Sequence, residues 1–235
     1  MRHKLFKLGI LILLGSILTG LQAQTVKDTE GNIYKTVKIG TQEWMAENLK
    51  TTKYNDGDAI PTLHTDEPRS GLTTGAYAIY AHSLINGLNS DTEVLEAYGA
   101  LYNWYAVETG NLCPAGWRVP TDADWTTLTD YIEGSTGGKL KSTRTSPDGH
   151  PRWERPNTDA TDEYGLSALP GGYRLSNGTF TNIGYSGHWW SSTGDYSMLL
   201  TTFALYRSMV FNSSSVSSDS NNKRFKFSVR CVRYN

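Results

Sequence analysis

Cys113 and Cys231 are the only two thiols in the chain. Neither sits in a Cys-x-x-Cys pair, so a single disulfide outweighs its alternative, a pair of reactive thiols. Such a bond would close a loop of over 100 residues, which the chain-entropy model rates at about 4.7 kcal/mol as an upper bound. Asp122 and Asp124 have the types and spacing for acid–base work. They also follow Thr121 in the first turn of a helical pattern, where carboxylates answer free amides and the helix dipole, and capping is the better-supported role. His64, His82, His150 and His188 show no His-Glu-x-x-His or comparable ligand spacing. Asp56 and Asp58 of "YNDGDAIP" are hard oxygen ligands, yet the ladder and closing Glu of an EF-hand loop are missing, which leaves an Asp-Gly turn. No cofactor and no metal is called for.

These residues need elements to hold them. Short apolar stretches punctuated by Gly, Asn and Pro predict a β-rich chain with few helices. "IYKTVKIG" (33–40) alternates as a strand, with "EWMAENL" (43–49) as its hairpin partner, and 50–74 is polar and turn-rich. "YGALYNWYAVE" (98–108) spaces Leu101, Trp104, Tyr105 and Glu108 as one helix. In "CPAGWRVPTDADWTTL" (113–128), Arg118 belongs to a short strand and pairs with a carboxylate or a carbonyl. Thr121 then caps a helix with Asp124, Trp125, Leu128 and Ile132 face the core, and Gly134 ends the helix. "GGYRL" and "TFTNIG" flank Asn177-Gly178, the strongest hairpin signal in the chain. "HWWSST", "SMLLTTFALY", "SMVFN" and "RFKFSVRCVRY" read as further strands, the last carrying Cys231.

The first 23 residues read differently. Arg2, Lys4 and Lys7 precede "LGILILLGSILTGL", and Ala23 offers a small residue for cleavage, the pattern of a secretory signal peptide rather than a membrane anchor. Export favours the disulfide. The chain has 22 basic and 23 acidic side chains, and loss of the three leader cations takes the net charge to −4, which disfavours a nucleic-acid partner. The full chain has the 38% apolar content of an ordinary globular protein, and residues 24–235 are expected to form one domain with no further membrane insertion.

"IGTQEWMAENLKTTKYNDGDAIP", "YGALYNWYAV", "CPAGWRVPTDADWTTL", "GLSALPGGYR", "WWSST" and "FSVRCVR", in that order, resemble the Fibrobacter succinogenes major paralogous domain family over nearly the whole mature chain. Lys226 departs from it, standing where the family usually has Gly. The family is similar to the C-type lectin-like fold, and "WRVPTDADW" with "SVRCVR" resembles the branch shared with formylglycine-generating enzymes. The resemblance implies an α+β fold: two helices on small twisted antiparallel sheets, long loops, and chain ends close together.

Function does not follow from fold. The formylglycine-generating reaction needs neighbouring cysteines late in the chain, where only Cys231 stands. A hydrolase is the other enzymatic alternative. Calcium lectins of this fold use Glu-Pro-Asn or Gln-Pro-Asp with Trp-Asn-Asp, whereas this chain has Arg155-Pro156-Asn157 and no Trp-Asn-Asp. Aromatic stacking on Trp153, Trp189, Trp190, Tyr196 or Tyr206 stays open. The expectation is a non-catalytic binding or adhesion module, secreted or periplasmic, that recognises a glycan or protein ligand through 190–223. Trp190, Ser192, Tyr196, Tyr206, Asn212, Ser214 and Asn221 would form the ligand-facing surface, since Tyr with Ser and Asn is the palette of adaptable binding loops. The resemblance further implies that "NSSSVSSDSNN" (212–222) lies where diversity-generating retroelements rewrite Asn-type codons of such domains.

Overall fold

The computed structural model describes residues 24–62, 73–196 and 201–234. The leader, His64 and the first residues of "SMLLTTFALY" lie outside the described residues. In chain order the elements are β1 (Thr25–Lys27), β2 (Ile33–Ile39), β3 (Gln42–Met45), β4 (Tyr77–Ala78), α1 (Asp91–Tyr98), β5 (Leu101–Asn103), α2 (Trp104–Glu108), α3 (Asp122–Tyr131), α4 (Thr136–Leu140), β6 (Gly171–Arg174), β7 (Phe180–Ile183), β8 (Ser186–Asp195), β9 (Phe203–Val210), β10 (Ser217–Asn222), β11 (Lys226–Phe227) and β12 (Val232–Tyr234). One sheet runs β1-β2-β3-β12; the other runs β10-β9-β8-β6-β11-β5-β4, with β7 on β6. Pairing is antiparallel except between β6 and β8. The class is α+β, and the first sheet gathers both ends of the described chain.

Local chemistry explains the elements that match expectation. β2 and β3 form the predicted hairpin, and β6 and β7 form the second, with Gly178 at φ +96° in the turn. At Asp-Gly, Gly57 takes φ +97° and the Asp56 carboxylate accepts the amide of Asp58. α3 starts on a reciprocal cap: Thr121 Oγ1 accepts the Asp124 amide at 3.1 Å while Asp124 accepts the Thr121 amide at 2.7 Å. Trp125, Leu128 and Ile132 are buried, and Gly134 follows at φ +78°. Cys113 and Cys231 are joined in a disulfide, with Cα atoms 5.9 Å apart.

Three expectations need correction. "YGALYNWYAVE" is not one helix: Tyr98 ends α1, Leu101 lies in β5 and α2 begins at Trp104. Gly99, at φ +78°, closes α1, and the Asn103 side chain accepts the amides of Ala76 and Ala106, so a new helix is capped in mid-pattern. "RFKFSVRCVRY" is two strands in different sheets, because 228–231 crosses from one sheet to the other. "SMVFN" only continues β9 to Val210, and the following serine-rich run supplies a further strand, β10, at the sheet edge.

Two main apolar clusters pack on opposite faces of β8, and successive strand residues alternate between them. Trp190 joins Trp104, Trp117, Tyr206 and Phe227, whereas Trp189 joins Trp44, Trp125 and Trp153. All seven tryptophans are buried. Most anchor their indole N–H: Trp189 donates to Asn48 Oδ1 at 2.9 Å, Trp190 to the Tyr102 carbonyl at 2.8 Å and Trp104 to that of Ser191 at 2.8 Å. Stacking on Trp153, Trp189 or Trp190 is therefore closed to a ligand.

Candidate functional site

The pleat of β8 sends Ser186, His188 and Trp190 to one face. His188 pairs with Ser208 and Trp190 with Tyr206 on β9. On β10, Ser208 faces Ser217, Tyr206 faces Asp219 and Ala204 faces Asn221. Tyr173 of β6 brings its ring to 4.6 Å from His188, and Phe225 stacks on Tyr173 at 6.4 Å and 13°. Four rings and a fringe of hydroxyl, carboxylate and amide groups thus share one face. Tyr173, His188 and Phe225 are half-buried there, while Ser217 and Asp219 are exposed.

Burial sets the electrostatics of this face. Ser186 Oγ and His188 Nε2 are 2.9 Å apart, a nucleophile and a base within reach. Burial pulls the His188 imidazole down to about 4, however, and its Nδ1 has no partner among the described residues. An imidazole with a pKa of about 4 is neutral at pH 7. The Tyr206 hydroxyl is held up by burial and by the Asp219 charge, and the Asn221 side chain hydrogen-bonds it. It stays protonated, available both to donate and to accept. No group of three or more His, Cys, Asp or Glu side chains able to hold a metal ion occurs among the described residues.

The seven residues expected at the ligand surface do not converge. Trp190 is core, Tyr206 is only 9% exposed at the edge of the ring array, and Asn221 joins it from β10. Ser192 sits in the register shift of β8 between Trp190 and Gly194, where its amide is tied to the Pro120 carbonyl at 2.8 Å. Tyr196 is 71% exposed beyond the end of β8. Asn212 and Ser214 lie past the other end of β9, a strand of eight residues and so about 26 Å long. The Ser214 carbonyl accepts the amides of Gly137 and Gly138 at 2.7 and 3.1 Å, which docks the loop on α4. Lys141 reinforces the docking, its Nζ donating to the Val210 and Ser213 carbonyls at 3.2 and 2.8 Å. A single small ligand cannot span Tyr196 and Asn212.

Sequence reasoning missed Tyr173, His188 and Phe225. They come from three segments, and only the registers of β6, β8 and β9 bring them together. His188 was the legible one, two residues from Trp190 in an alternating strand. Arg207, also missed, binds the other side of β9 to α3, its Nη2 2.6 Å from Asp122 Oδ1. Asp122 and Asp124 are therefore committed to holding α3 in place.

No curated protein and no solved structure matches the chain. A family model described as the Fibrobacter succinogenes major domain matches residues 37–233, a span that holds both cysteines, the α3 capping box and the whole aromatic face. The chain belongs to the Fibrobacter succinogenes major domain family.

Proposed function

We propose that this domain is a non-catalytic binding module that takes a glycan or protein ligand on the face of β8, β9 and β10. The observation that carries the reading is the array of Tyr173, His188, Tyr206 and Phe225 fringed by Ser208, Ser217, Asp219 and Asn221. Fixed rings offer contact area at low entropic cost, and short polar side chains adapt their hydrogen bonds. The disulfide supports the exported setting of the reading, and no helix among the described residues is long and apolar enough to cross a membrane. A C-type lectin-like architecture is part of the proposal, supported by the two ends of the described chain sharing one sheet. So is diversification of the β10 side chains, which a near-copy of the coding stretch beside a reverse transcriptase gene would establish.

The purified mature domain on glycan and protein arrays tests the function. Specific binding weakened about tenfold or more by Asp219→Ala or Tyr206→Phe, with an unchanged melting temperature, is the expected result. Turnover of hydrolase or thiol-oxidation substrates without specific binding would overturn it.

A further inference from the structure

A second concavity lies away from that face. A cleft of about 270 Å³ opens between the turn that precedes β8, the 3-10 turn at His82–Leu84 and the loop before Trp153. This is close to the lower end of the roughly 300–1,000 Å³ common for small-molecule sites. Its walls differ in chemistry. Tyr185 and Leu84, 49% and 60% exposed, supply apolar surface. Glu154 and Arg152 supply one charge of each sign, and Tyr98 with His150 lines the cleft beside them.

The hydrogen bonds define what this cleft can offer. His150 uses both ring nitrogens, Nδ1 at 2.6 Å from the Tyr98 hydroxyl and Nε2 at 3.0 Å from the Asn86 carbonyl. A carbonyl can only accept, so Nε2 carries a proton, while Nδ1 and the Tyr98 hydroxyl share the second hydrogen bond. Burial pushes the Tyr98 hydroxyl up to about 12, which keeps its proton in place. Arg152 spends Nη1 on the carbonyls of Pro147 and Asp148, and its buried Nε has no partner among the described residues. The Glu154 carboxylate accepts no hydrogen bond from the described residues, and Gly184 packs beside its stem. The cleft therefore has one guanidinium and one carboxylate among its lining side chains.

Tyr185 is a fixed platform. Its amide donates to the Asn182 carbonyl at 3.0 Å, its carbonyl accepts from Phe211 at 2.9 Å, and its ring stands edge-on to Phe211 at 5.3 Å. A ligand stacking on it meets a ring already ordered.

We infer that this cleft binds one neutral pyranose ring of a glycan, its C–H face on Tyr185 and its hydroxyls bridging Arg152 and Glu154. Charged ligands are disfavoured, since either sign would meet a like charge at 152 or 154. A purely apolar ligand would leave both ions desolvated without partners. A ring with adjacent hydroxyls satisfies both, each hydroxyl donating and accepting once.

The test uses the full mature domain with glucose, mannose, galactose and N-acetylglucosamine, read by saturation-transfer NMR and calorimetry. At least one sugar should bind in the millimolar range with saturation on its ring C–H protons. Tyr185→Ala and Glu154→Gln should each weaken it about tenfold, while Asp219→Ala on the other face leaves it unchanged. Arg152→Met also loosens the 147–148 loop, so the Tyr185 and Glu154 variants, checked for wild-type melting, carry the decision. No binding by any of the four sugars, or binding indifferent to Tyr185→Ala, would overturn the inference. No specific array binding by the wild-type domain, with the sugar response intact, would count against the function proposed above and not against this cleft.

Discussion

Asp124 serves three elements with one carboxylate. It is buried, yet it accepts from the Thr121 amide and hydroxyl at 2.7 Å each, from Arg118 Nη2 at 2.8 Å and from the Tyr234 hydroxyl at 2.8 Å. Burial by itself would raise its pKa; Arg118, Thr121 and Tyr234 together hold it well below the usual carboxylate range. The stability it contributes is present above the unfolded value near 4 and is lost as pH falls further. His188 acts in an adjacent window. Burial depresses it to about 4, so its contribution is present above the unfolded value of about 6.5 and drains away between there and pH 4, by up to about 3 kcal/mol. Denaturant melts at stepped pH should show both losses; His188→Gln should flatten the upper one and Asp124→Asn the lower. Trp125 makes a second case. Its ring lies 4.7 Å from Trp44 and 6.3 Å from Trp189, but its buried Nε1 has no acceptor among the described residues. Trp125→Ala should destabilise by about 3–5 kcal/mol. Trp125→Phe should cost much less, because it also removes an unsatisfied donor that costs about 1–3 kcal/mol. Thermal melts of the two variants check the contrast. The cap at Thr121 and the burial of Trp125 were legible because both depend on neighbours in sequence. The orphaned indole N–H and the Arg207–Asp122 pair were not, since each depends on groups brought in from far along the chain.

α4 has five residues and no side-chain cap, and owes its place to two adjacent glycines. A Cβ on Gly137 would run into the Ser215 carbonyl, and one on Gly138 into the backbone of Asp159. Both amides instead reach Ser214. Gly138→Ala should cost about 1–3 kcal/mol by overpacking and speed amide exchange at Gly137 and Gly138, which hydrogen-exchange mass spectrometry would register. The same element scale shows where pattern reading stops. Leu101 and Trp104 have helical spacing and are both buried, but in different clusters, with a strand ending and a helix starting between them. The run 217–222 carries no apolar alternation, so nothing in its composition announces a strand; the pairing along β9 makes it one. "WW" was the reverse case, two large residues whose opposite faces follow from the pleat alone.

At the scale of the whole molecule, the disulfide spans 118 residues and links the segment before α3 to the start of β12. Replacing both Cys113 and Cys231 by Ser should lower stability by about 2–5 kcal/mol, and reductant should shift the denaturation midpoint of the wild-type protein by the same amount while leaving the double variant unmoved. A β-rich chain with few helices and the single pairing of the cysteines were readable from composition and punctuation, and the α+β class came with the family resemblance. The topology that puts β11 and β12 in separate sheets was not, because a strand's partner is a property of the assembled chain. That partnership has a consequence in time. β12, nearly the last element to be synthesised, lies against β3, one of the first. At ribosomal speeds of roughly 5–20 residues per second, β3 waits about 10–40 s for it, with one edge open to any passing strand. Order of synthesis and order of assembly are thus decoupled.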